Sequence, residues 1–326
     1  MRAFVWTRYG PPSGLELQEV PTPSPKDNEV LIRVHATTVT AGDSEMRAFK
    51  VPGLLWLPLR IFMGLTKPRR KILGQEFAGE IELVGRNVTG FRKGDQVFGT
   101  TGLRLGAYAE FLRLPATSRD GVVALKPANA TYEEAAAAPT GGLEALHLLR
   151  EGSVQRGQRI LINGAGGSIG TFAVQLAKYY GADVTAVDST AKLDMLRSIG
   201  ADKVVDYTQE DFSEGGQTYD LVFDVPGKTP LSRLMSSLTQ NGACLLANPR
   251  LSDMARAVWA SRKGGQRVIF GASNKRTEEL GLLRELIEAG QIRSVIDRSY
   301  PFEQIPEAHR YVDTGQKRGN VVIAVA

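Results

Sequence analysis

A glycine-rich turn between an apolar strand and an amphipathic helix constrains the fold of this chain more than any other feature. The turn carries the spacing Ala165-x-Gly167-x-x-Gly170 and lies between the apolar stretch 159–162 and the helical pattern 170–180. In such a turn the second glycine lets the backbone approach a pyrophosphate, and the last glycine lets the helix pack against the strand. We predict that the helix N-terminus binds the pyrophosphate of a dinucleotide. The predicted contacts are Gly164, Ala165, Gly166, Gly167, Ser168, Ile169 and Gly170.

Strand-like and helix-like segments alternate after the turn, which is the pattern of a parallel sheet covered by helices. These segments are 183–187, 192–199, 203–206, 221–223, 229–238 and 243–247. The first 125 residues instead contain short strands separated by glycine, proline, Asp and Asn, as in a barrel-like β unit. At 326 residues the chain is long enough for two domains. We predict an α/β fold class, with a doubly wound parallel-sheet (Rossmann) nucleotide-binding domain and a separate β-rich domain.

The residue expected to contact the cofactor ribose is Asp188, which lies 18 residues after Gly170 at the end of the next strand. A carboxylate at this position accepts hydrogen bonds from the ribose hydroxyls of NADH and repels the 2′-phosphate of NADPH. Ser189, Thr190 and Lys192 follow at once, and two hydroxyls with a lysine could instead hold a 2′-phosphate. Asp188 is also of a residue type that commonly caps helices. These residues alone leave NADH and NADPH open.

The cysteine and charge content exclude several classes of protein. The single cysteine, Cys244, excludes an intramolecular disulfide and a zinc site made of several cysteines. The three histidines are far apart and match no metal-ligand spacing. The net charge of +5 is spread along the chain except in the basic run 67–71, which could be a solvated loop or contact an anionic partner. No nucleic-acid-binding motif accompanies this run, so we predict no nucleic-acid partner.

The apolar segments favour a protein that does not span a membrane. The first residues form a strand-like segment without the features of a secretory signal, which predicts a cytoplasmic location. The longest apolar run, 51–65, is interrupted by Pro52, Pro58 and Arg60 and is shorter than the roughly 20 residues of a spanning helix. This run could cover a bulky apolar substrate or pack at a subunit interface. Together with the basic run it could also contact a membrane surface.

Several motifs in order along the chain resemble those of the medium-chain dehydrogenase/reductases, specifically the zinc-free quinone oxidoreductase-like branch. They are Glu29-Val30-Leu31-Ile32-Arg33-Val34, Gly74-Gln75-Glu76-Phe77-Ala78-Gly79, Gly94-Asp95-Gln96-Val97-Phe98-Gly99, Gly106-Ala107-Tyr108-Ala109-Glu110, Pro139-Thr140-Gly141-Gly142, the glycine turn and Gly319-Asn320-Val321-Val322-Ile323. The resemblance covers essentially the whole chain. It implies a GroES-like catalytic domain over residues 1–124, a Rossmann domain over 125–270 and a return to the catalytic domain over 271–326.

The resemblance also bears on metal use. Zinc-dependent members of the family hold the catalytic zinc with a cysteine in the first domain, the histidine of a Gly-His-Glu motif and a further cysteine or acidic ligand. Here the histidine position is Gln75, and no cysteine precedes Cys244. Without these sulfur and imidazole ligands the usual site cannot assemble. We therefore expect no metal site and a reaction that does not need zinc.

The catalytic residues implied by the resemblance are Thr40, Asp43 and Thr140. Zinc-free relatives often carry Val-Asn-Pro-x-Asp near the nicotinamide, where this chain has Val39-Thr40-Ala41-Gly42-Asp43. The resemblance places Thr140 beside the nicotinamide. Asp43 could equally cap a helix that starts near Ser44. Tyr108 is a candidate proton donor, although an aromatic residue in a half-buried strand is more often part of the core.

The cofactor implied by the resemblance is NADPH or NADH. Lys192 and Tyr207 match positions where NADPH-using relatives contact the 2′-phosphate, and Ser189 is expected to bind the cofactor beside Asp188. Asp188 stands where many of those relatives have a small residue. Lys192 and Tyr207 match NADPH-using relatives and Asp188 does not, so the resemblance favours NADPH, with NADH as the alternative.

The expected activity is the NAD(P)H-dependent reduction of quinones or of the activated C=C bond of α,β-unsaturated carbonyls, with a small apolar carbonyl or quinone as substrate. A carbonyl reductase or alcohol dehydrogenase, and a nucleotide-binding protein without activity, are the alternatives. The segment 268–271 resembles the edge strand through which relatives pair, so we also predict a homodimer.

Overall fold

The computed structural model describes residues 1–51, 53–118, 120–214, 216–254, 265–271 and 276–325. The strands are β1 (Arg2–Trp6), β2 (Leu15–Glu19), β3 (Glu29–Thr38), β4 (Glu76–Val84), β5 (Gln96–Thr100), β6 (Phe111–Pro115), β7 (Val122–Leu125), β8 (Arg159–Asn163), β9 (Asp183–Asp188), β10 (Lys203–Asp206), β11 (Tyr219–Asp224), β12 (Leu238–Leu246), β13 (Arg267–Phe270), β14 (Ile296–Pro301) and β15 (Asn320–Ala324). The α-helices are α1 (Ala41–Ala48), α2 (Gly53–Met63), α3 (Tyr132–Ala136), α4 (Pro139–Glu151), α5 (Ser168–Tyr179), α6 (Leu193–Ser198), α7 (Leu231–Ser236), α8 (Arg276–Glu288) and α9 (Ile305–Asp313).

The chain divides into two compact units. The first unit consists of Met1–Thr140, Lys275–Glu288 and Ser294–Ala326, and the second of Gly141–Asn274 and Ala289–Arg293. The first unit therefore contains the N-terminal β-rich segment and the last strands of the chain.

The first unit is built on a seven-stranded sheet. The strand order is β14-β15-β3-β4-β5-β7, and β6 pairs with β3. The long strand β3 pairs antiparallel with β4, β6 and β15, so it is the centre of the sheet. Side chains such as Phe77 and Ile81 of β4, together with Tyr108 from the segment before β6, form one buried core. β1 and β2 form a separate antiparallel pair.

The second unit is a six-stranded sheet with the order β10-β9-β8-β11-β12-β13. All of its strand pairs are parallel. This is the strand order of a doubly wound dinucleotide-binding fold. Successive strands are added first on one side of β8 and then, from β11 on, on its other side. Its inner strands are apolar and buried, for example at Leu161, Val222 and Cys244, because both faces of such a sheet are covered. The predicted fold class is confirmed.

The apolar run 51–65 forms α2 in the first unit, with Pro58 inside the helix. Several of its large side chains are exposed, including Leu57, Ile61 and Phe62. Within the described part of the chain, no helix has both the length and the apolar composition needed to cross a membrane.

Candidate active site

The glycine turn joins the end of β8 to the start of α5. Gly164 has a φ of 75°, in the left-handed region that glycine adopts without strain. The N–H groups of Gly164 and Ala165 both donate to the Val187 carbonyl, at 3.0 and 3.1 Å, and tie the turn to the end of β9. A Cβ on Gly170 would lie 2.4 Å from the Gly164 carbonyl oxygen. The absence of a side chain at Gly170 thus lets α5 start this close to the turn.

The start of α5 has the properties of a pyrophosphate site. Gly167 precedes the helix, and no side chain caps its N-terminus. A Cβ on Gly167 would have its nearest neighbour, the Gly164 carbonyl oxygen, 3.9 Å away, so the space beside this residue is open. Backbone N–H groups and the positive end of the helix dipole favour an anion in such a space. The residues present therefore fit a dinucleotide.

Asp188 is bonded to the turn from the end of β9. Its Oδ2 accepts the N–H of Gly166 at 2.8 Å, and its Oδ1 accepts the N–H of Ser189 at 2.8 Å. Oδ1 also lies 3.1 Å from Nζ of Lys192. Asp188 thus holds the turn in shape, a role that the sequence did not predict. A carboxylate oxygen can accept more than one hydrogen bond, so the predicted contact with a ribose hydroxyl stays a prediction.

Lys192, Ser189 and Tyr207 lie around Asp188 in the structure. The aliphatic part of Lys192 passes over the turn, because a Cβ on Gly166 would lie 2.4 Å from Lys192 Cδ. The Tyr207 N–H donates to the Asp188 carbonyl at 3.2 Å, and its side chain is 60% exposed. The Lys192 ammonium offsets the negative charge that was expected to repel a 2′-phosphate.

In the first unit, Thr40 and Asp43 form a capping box at the start of α1. Thr40 Oγ1 accepts the Asp43 N–H at 3.0 Å and donates to Asp43 Oδ2 at 2.6 Å. The same Oδ2 accepts the Thr40 N–H at 3.0 Å. The Asp43 side chain is fully buried, and burial raises the pKa of its carboxyl group to about 6. The Thr40 hydroxyl proton is therefore already used within the protein, and the helix-capping alternative describes how Asp43 sits in this structure.

Glu76 is a buried acid that sequence reasoning did not select. It begins β4 and is 1% exposed. Its Oε1 accepts the Thr140 N–H at 2.7 Å, and its Oε2 accepts the hydroxyl hydrogen of Thr38. Burial, together with the nearby charge of Asp43, raises the pKa of Glu76 to about 7. The sequence offered no signal that separates Glu76 from the other acids of β4, Glu80 and Glu82.

Thr140 differs from Thr40 because its hydroxyl makes no hydrogen bond of normal geometry, although it lies close enough to Glu76 to help lower the pKa of that carboxyl group. Thr140 Oγ1 is buried and has no hydrogen-bond partner among the described residues. The Tyr108 hydroxyl likewise makes no hydrogen bond of normal geometry but lies beside the Asp43 carboxyl group, and the Tyr108 ring lies 5.6 Å from the His309 ring in an edge-on contact. Burial and the charges of Asp43 and Glu76 raise the pKa of Tyr108, which keeps the phenol neutral. Of the three predicted catalytic residues, Thr140 has the hydroxyl that can donate to a bound molecule.

The residues next to Glu76 also bear on whether the chain could bind a catalytic zinc ion. Gln75 precedes Glu76 at the position of the zinc-binding histidine in zinc-dependent relatives, and Cys244 is buried in the core of the second unit. Within the residues that the structure describes, no group of three or more histidine, cysteine or acidic side chains could hold a metal ion.

Comparisons with known proteins agree with this architecture. Residues 26–127 match a family model described as the alcohol dehydrogenase GroES-like domain, and residues 199–323 match one described as zinc-binding dehydrogenase. The chain is 30% identical over 335 residues to a 2-methylene-furan-3-one reductase of Solanum lycopersicum, covering 99% of this chain and 79% of the relative. It is 29% identical over 340 residues to a chloroplastic NADPH-dependent alkenal/one oxidoreductase of Arabidopsis thaliana, with the same two coverages.

A solved structure of the quinone oxidoreductase from Coxiella burnetii superposes with a TM-score of 0.87 at 27% identity, covering 100% of this chain and 99% of that one. The strand order of the second unit, the glycine turn and these matches agree along the whole chain. The chain belongs to the medium-chain dehydrogenase/reductase superfamily, in the branch that contains quinone oxidoreductases and alkenal reductases.

Proposed function

We propose that the protein is an NAD(P)H-dependent oxidoreductase that reduces quinones or the activated C=C bond of α,β-unsaturated carbonyls without zinc. The names of its relatives, which include an alkenal/one oxidoreductase and a quinone oxidoreductase, support this reaction class. The observation that carries the proposal is the buried Thr140 hydroxyl, which lies beside Glu76 but makes no hydrogen bond of normal geometry in the described part of the chain. The ligand set of a zinc-dependent alcohol dehydrogenase is missing at Gln75, which disfavours that alternative.

The residues of the chain have separable tasks in this reaction. The nicotinamide cofactor, when bound, supplies the hydride. The turn at Gly167 binds the pyrophosphate, and Asp188 keeps the turn in shape. Thr140 donates a hydrogen bond to the substrate carbonyl oxygen, on which negative charge develops during reduction. Glu76 fixes the Thr140 backbone, while Thr40 and Asp43 fix the start of α1 and so act as positioning residues.

The test of this function is the Thr140→Val variant, which keeps the backbone N–H that bonds to Glu76 and removes only the hydroxyl. Loss of one donor to a developing oxyanion lowers rates about 100-fold, so we expect kcat with enones or quinones to fall by about that factor. The dissociation constant of NADPH is expected to stay within about twofold, and Thr140→Ser is expected to restore most of the rate. Nicotinamide absorbance follows the turnover.

Three results would contradict the proposal. Wild-type protein that binds NADPH but turns over no quinone or enone is a nucleotide-binding protein without this activity. Faster turnover of simple ketones or alcohols than of enones and quinones would support the carbonyl reductase or alcohol dehydrogenase alternative. Loss of activity on chelation, restored by added zinc, would contradict a zinc-independent reaction.

For the cofactor we propose NADPH, with Lys192 and Tyr207 contacting the 2′-phosphate and Ser189 beside them. The ion pair between Lys192 and Asp188 supports this choice, because the positive charge of Lys192 offsets the negative charge of Asp188 that would repel a 2′-phosphate. Asp188→Asn keeps a side-chain oxygen for the Gly166 N–H and releases Lys192. We expect NADPH to bind about tenfold more tightly in this variant and NADH to change little, since a neutral amide no longer competes for the lysine.

The matched variants for this test are Lys192→Gln and Asp188→Gly. Lys192→Gln is expected to weaken NADPH more than NADH. Asp188→Gly also removes the acceptor of the Gly166 N–H, so both cofactors are expected to bind more weakly. Calorimetric titration measures the affinity of each variant for each cofactor, and weaker NADPH binding by Asp188→Asn would overturn the assignment.

We also propose a homodimer, because β13 (Arg267–Phe270) lies at the edge of the sheet among the described strands and can pair with a second copy. Multi-angle light scattering should give the mass of two chains. The cytoplasmic location and a peripheral contact with membranes stay proposals; the exposed Leu57, Ile61 and Phe62 on α2 support the second.

A further inference from the structure

The helix α2 presents a row of large apolar side chains to solvent. Leu57 and Ile61 are one helical turn apart and Phe62 follows Ile61, so these side chains lie on one face of the helix. Leu57 is 56%, Ile61 51% and Phe62 70% exposed, and Leu65, just after the helix, is 60% exposed. We call these four residues the apolar row. Single exposed apolar residues are ordinary, but a continuous row marks a surface that contacts another molecule or a membrane.

The opposite side of α2 is held against the first unit. The Arg60 guanidinium group lies 3.7 Å from the centre of the Tyr9 ring and 4.8 Å from the centre of the Phe49 ring. The Trp56 ring meets the Phe49 ring edge-on at 5.9 Å. The Tyr9 hydroxyl donates to the Gly64 carbonyl at 3.0 Å, just beyond the end of the helix. Because these contacts use the inner side of α2, the apolar row is left facing outward.

Positive charge is concentrated in the same part of the sequence. Residues 46–75 contain seven of the 40 lysine and arginine residues and none of the 35 acids, so the rest of the chain carries a net negative charge. Arg47 is buried and pairs with Asp313, and Arg60 lies over the Tyr9 ring. The other five cations are exposed and form no ion pair within the described part of the chain; they are Lys50, Lys67, Arg69, Arg70 and Lys71.

A sharp turn at Gly64 brings the basic run 67–71 beside the apolar row. Gly64 has a φ of 120°, and a Cβ on it would lie 2.1 Å from the Lys67 carbonyl oxygen. The Arg69 N–H donates to the Met63 carbonyl at 2.8 Å. Phe62 and Arg69 also line one cavity, so their side chains are neighbours in space. The cations therefore adjoin the C-terminal end of the apolar row.

The charge and composition of this surface suit an anionic bilayer. Glu45 and Asp120 are exposed acids that line the same cavity as Arg69, so five exposed cations stand against two acids here. Large apolar side chains flanked by Lys and Arg are the arrangement of helices that lie in the membrane interface. Anionic lipids attract each Lys or Arg near their surface, whereas the cores of protein interfaces are depleted in lysine. Charge complementarity thus favours a membrane over a protein partner.

We infer that α2 and the basic run 67–71 dock the protein on the surface of a bilayer that contains anionic phospholipid. The apolar row enters the boundary between headgroups and acyl chains, and the basic run contacts the lipid phosphates. The inference rests on the proposed peripheral contact, to which it assigns a surface and a lipid class. It is independent of the proposed reduction, because docking needs neither a nicotinamide cofactor nor turnover, so each can fail without the other.

The test is sedimentation of the full chain with vesicles of phosphatidylcholine alone and with vesicles of equal parts phosphatidylcholine and phosphatidylglycerol. In about 0.1 M salt we expect binding to the anionic vesicles to be at least about tenfold stronger. In about 1 M salt most of this difference is expected to disappear, because the Debye length falls to about 3 Å. Equal binding to neutral and anionic vesicles, or binding to neither, would overturn the inference.

The double variant Arg69→Gln, Arg70→Gln tests the basic run. Each cation near an anionic surface strengthens binding roughly fivefold, so we expect the affinity for anionic vesicles to fall about 25-fold. The matched control is Arg156→Gln, Lys203→Gln, which changes the net charge equally at exposed positions of the second unit and is expected to bind as the wild type does. Equal loss in the two variants would mean that binding follows only the total charge, against the inference.

The double variant Ile61→Ser, Phe62→Ser tests the apolar row and is expected to weaken binding by at least about tenfold. Its control is Leu17→Ser, Leu83→Ser, at positions 41% and 47% exposed on β2 and β4, which is expected to bind as the wild type does. Thermal unfolding checks that each variant is folded, and if the Ile61 and Phe62 variant is not, the Arg69 and Arg70 variant alone decides. A change of mass from two chains to one in the Ile61 and Phe62 variant, with unchanged vesicle binding, would assign the row to a subunit interface and overturn the inference.

Discussion

Gly170→Ala is expected to lower the free energy of unfolding by about 2 to 3 kcal/mol and to weaken dinucleotide binding by more than about tenfold. Alanine is tolerated at the last position of some dinucleotide-binding turns. Here its Cβ would lie 2.4 Å from the Gly164 carbonyl oxygen and 2.5 Å from the Ala165 Cα. Both neighbours are backbone atoms of the turn, so the added methyl group can be accepted only if α5 or the turn moves. Urea unfolding and calorimetric titration with NADPH measure the two effects.

Gly167→Ala separates binding from stability and is the matched control. Its Cβ would have no neighbour closer than 3.9 Å, so the free energy of unfolding is expected to change by less than about 1 kcal/mol. The same methyl group occupies the space assigned to the pyrophosphate, so NADPH binding is expected to weaken by about tenfold or more. If Gly167→Ala binds NADPH as tightly as the wild type, the pyrophosphate does not lie at this turn.

Glu76→Gln is expected to change how stability depends on pH. Burial raises the pKa of Glu76 from 4.5 to about 7, so between these pH values the folded protein holds a proton that the unfolded chain has released. The contribution of Glu76 to stability is therefore expected to fall as pH rises from about 4.5 to about 7. The amide of glutamine cannot ionise, so the variant is expected to resemble the wild type at low pH and to be more stable above pH 7, by about 3 kcal/mol.

The geometry makes this substitution conservative. The glutamine oxygen can still accept the Thr140 N–H, and its amide nitrogen can donate to the Thr38 hydroxyl oxygen. Urea unfolding at a series of pH values gives the comparison, in which Asp43, with its own raised pKa, leaves part of the dependence in both proteins. Glu82→Gln is the control. Because Lys93 and Arg33 lower the pKa of Glu82, its removal is expected to change the pH dependence of stability in the opposite direction. A Glu76→Gln curve parallel to that of the wild type would show that Glu76 stays ionised.

Local sequence patterns were sufficient to predict the fold of the second unit, but not the hydrogen bonds and ion pairs of its polar residues. The spacing of Gly167 and Gly170 after an apolar strand predicted the turn, because such a turn depends on neighbouring residues. The bond from Asp188 to the Gly166 N–H depends on how the turn folds back over β9, and the sequence shows only that an acid ends that strand. The same holds for Lys192. Its pairing with Asp188 requires the single 3-10 turn Thr190–Lys192 after β9, which brings the two side chains together.

In the first unit the sequence contained more than we drew from it. Thr40-x-x-Asp43 has the spacing of a capping box, so the use of the Thr40 hydroxyl within the protein was predictable. The burial of Glu76 was not, because it results from the pairing of β3 with β4 and from the approach of Thr140, which is 64 residues away in sequence.

The order of strands in the first unit has a consequence for synthesis on the ribosome. The central strand β3 pairs with β15, which ends at Ala324, and β14 pairs with β15 in turn. Every described strand of the second unit has emerged by Phe270. Because domains fold as units while the chain emerges from its N-terminus, the second sheet can close before the first is complete, since β3 lacks its partner β15 until the last residues appear. During that interval the part of β3 that pairs with β15, residues 36–38, is an unpaired edge, and this is where a nascent chain of this protein is most open to chaperones or to aggregation.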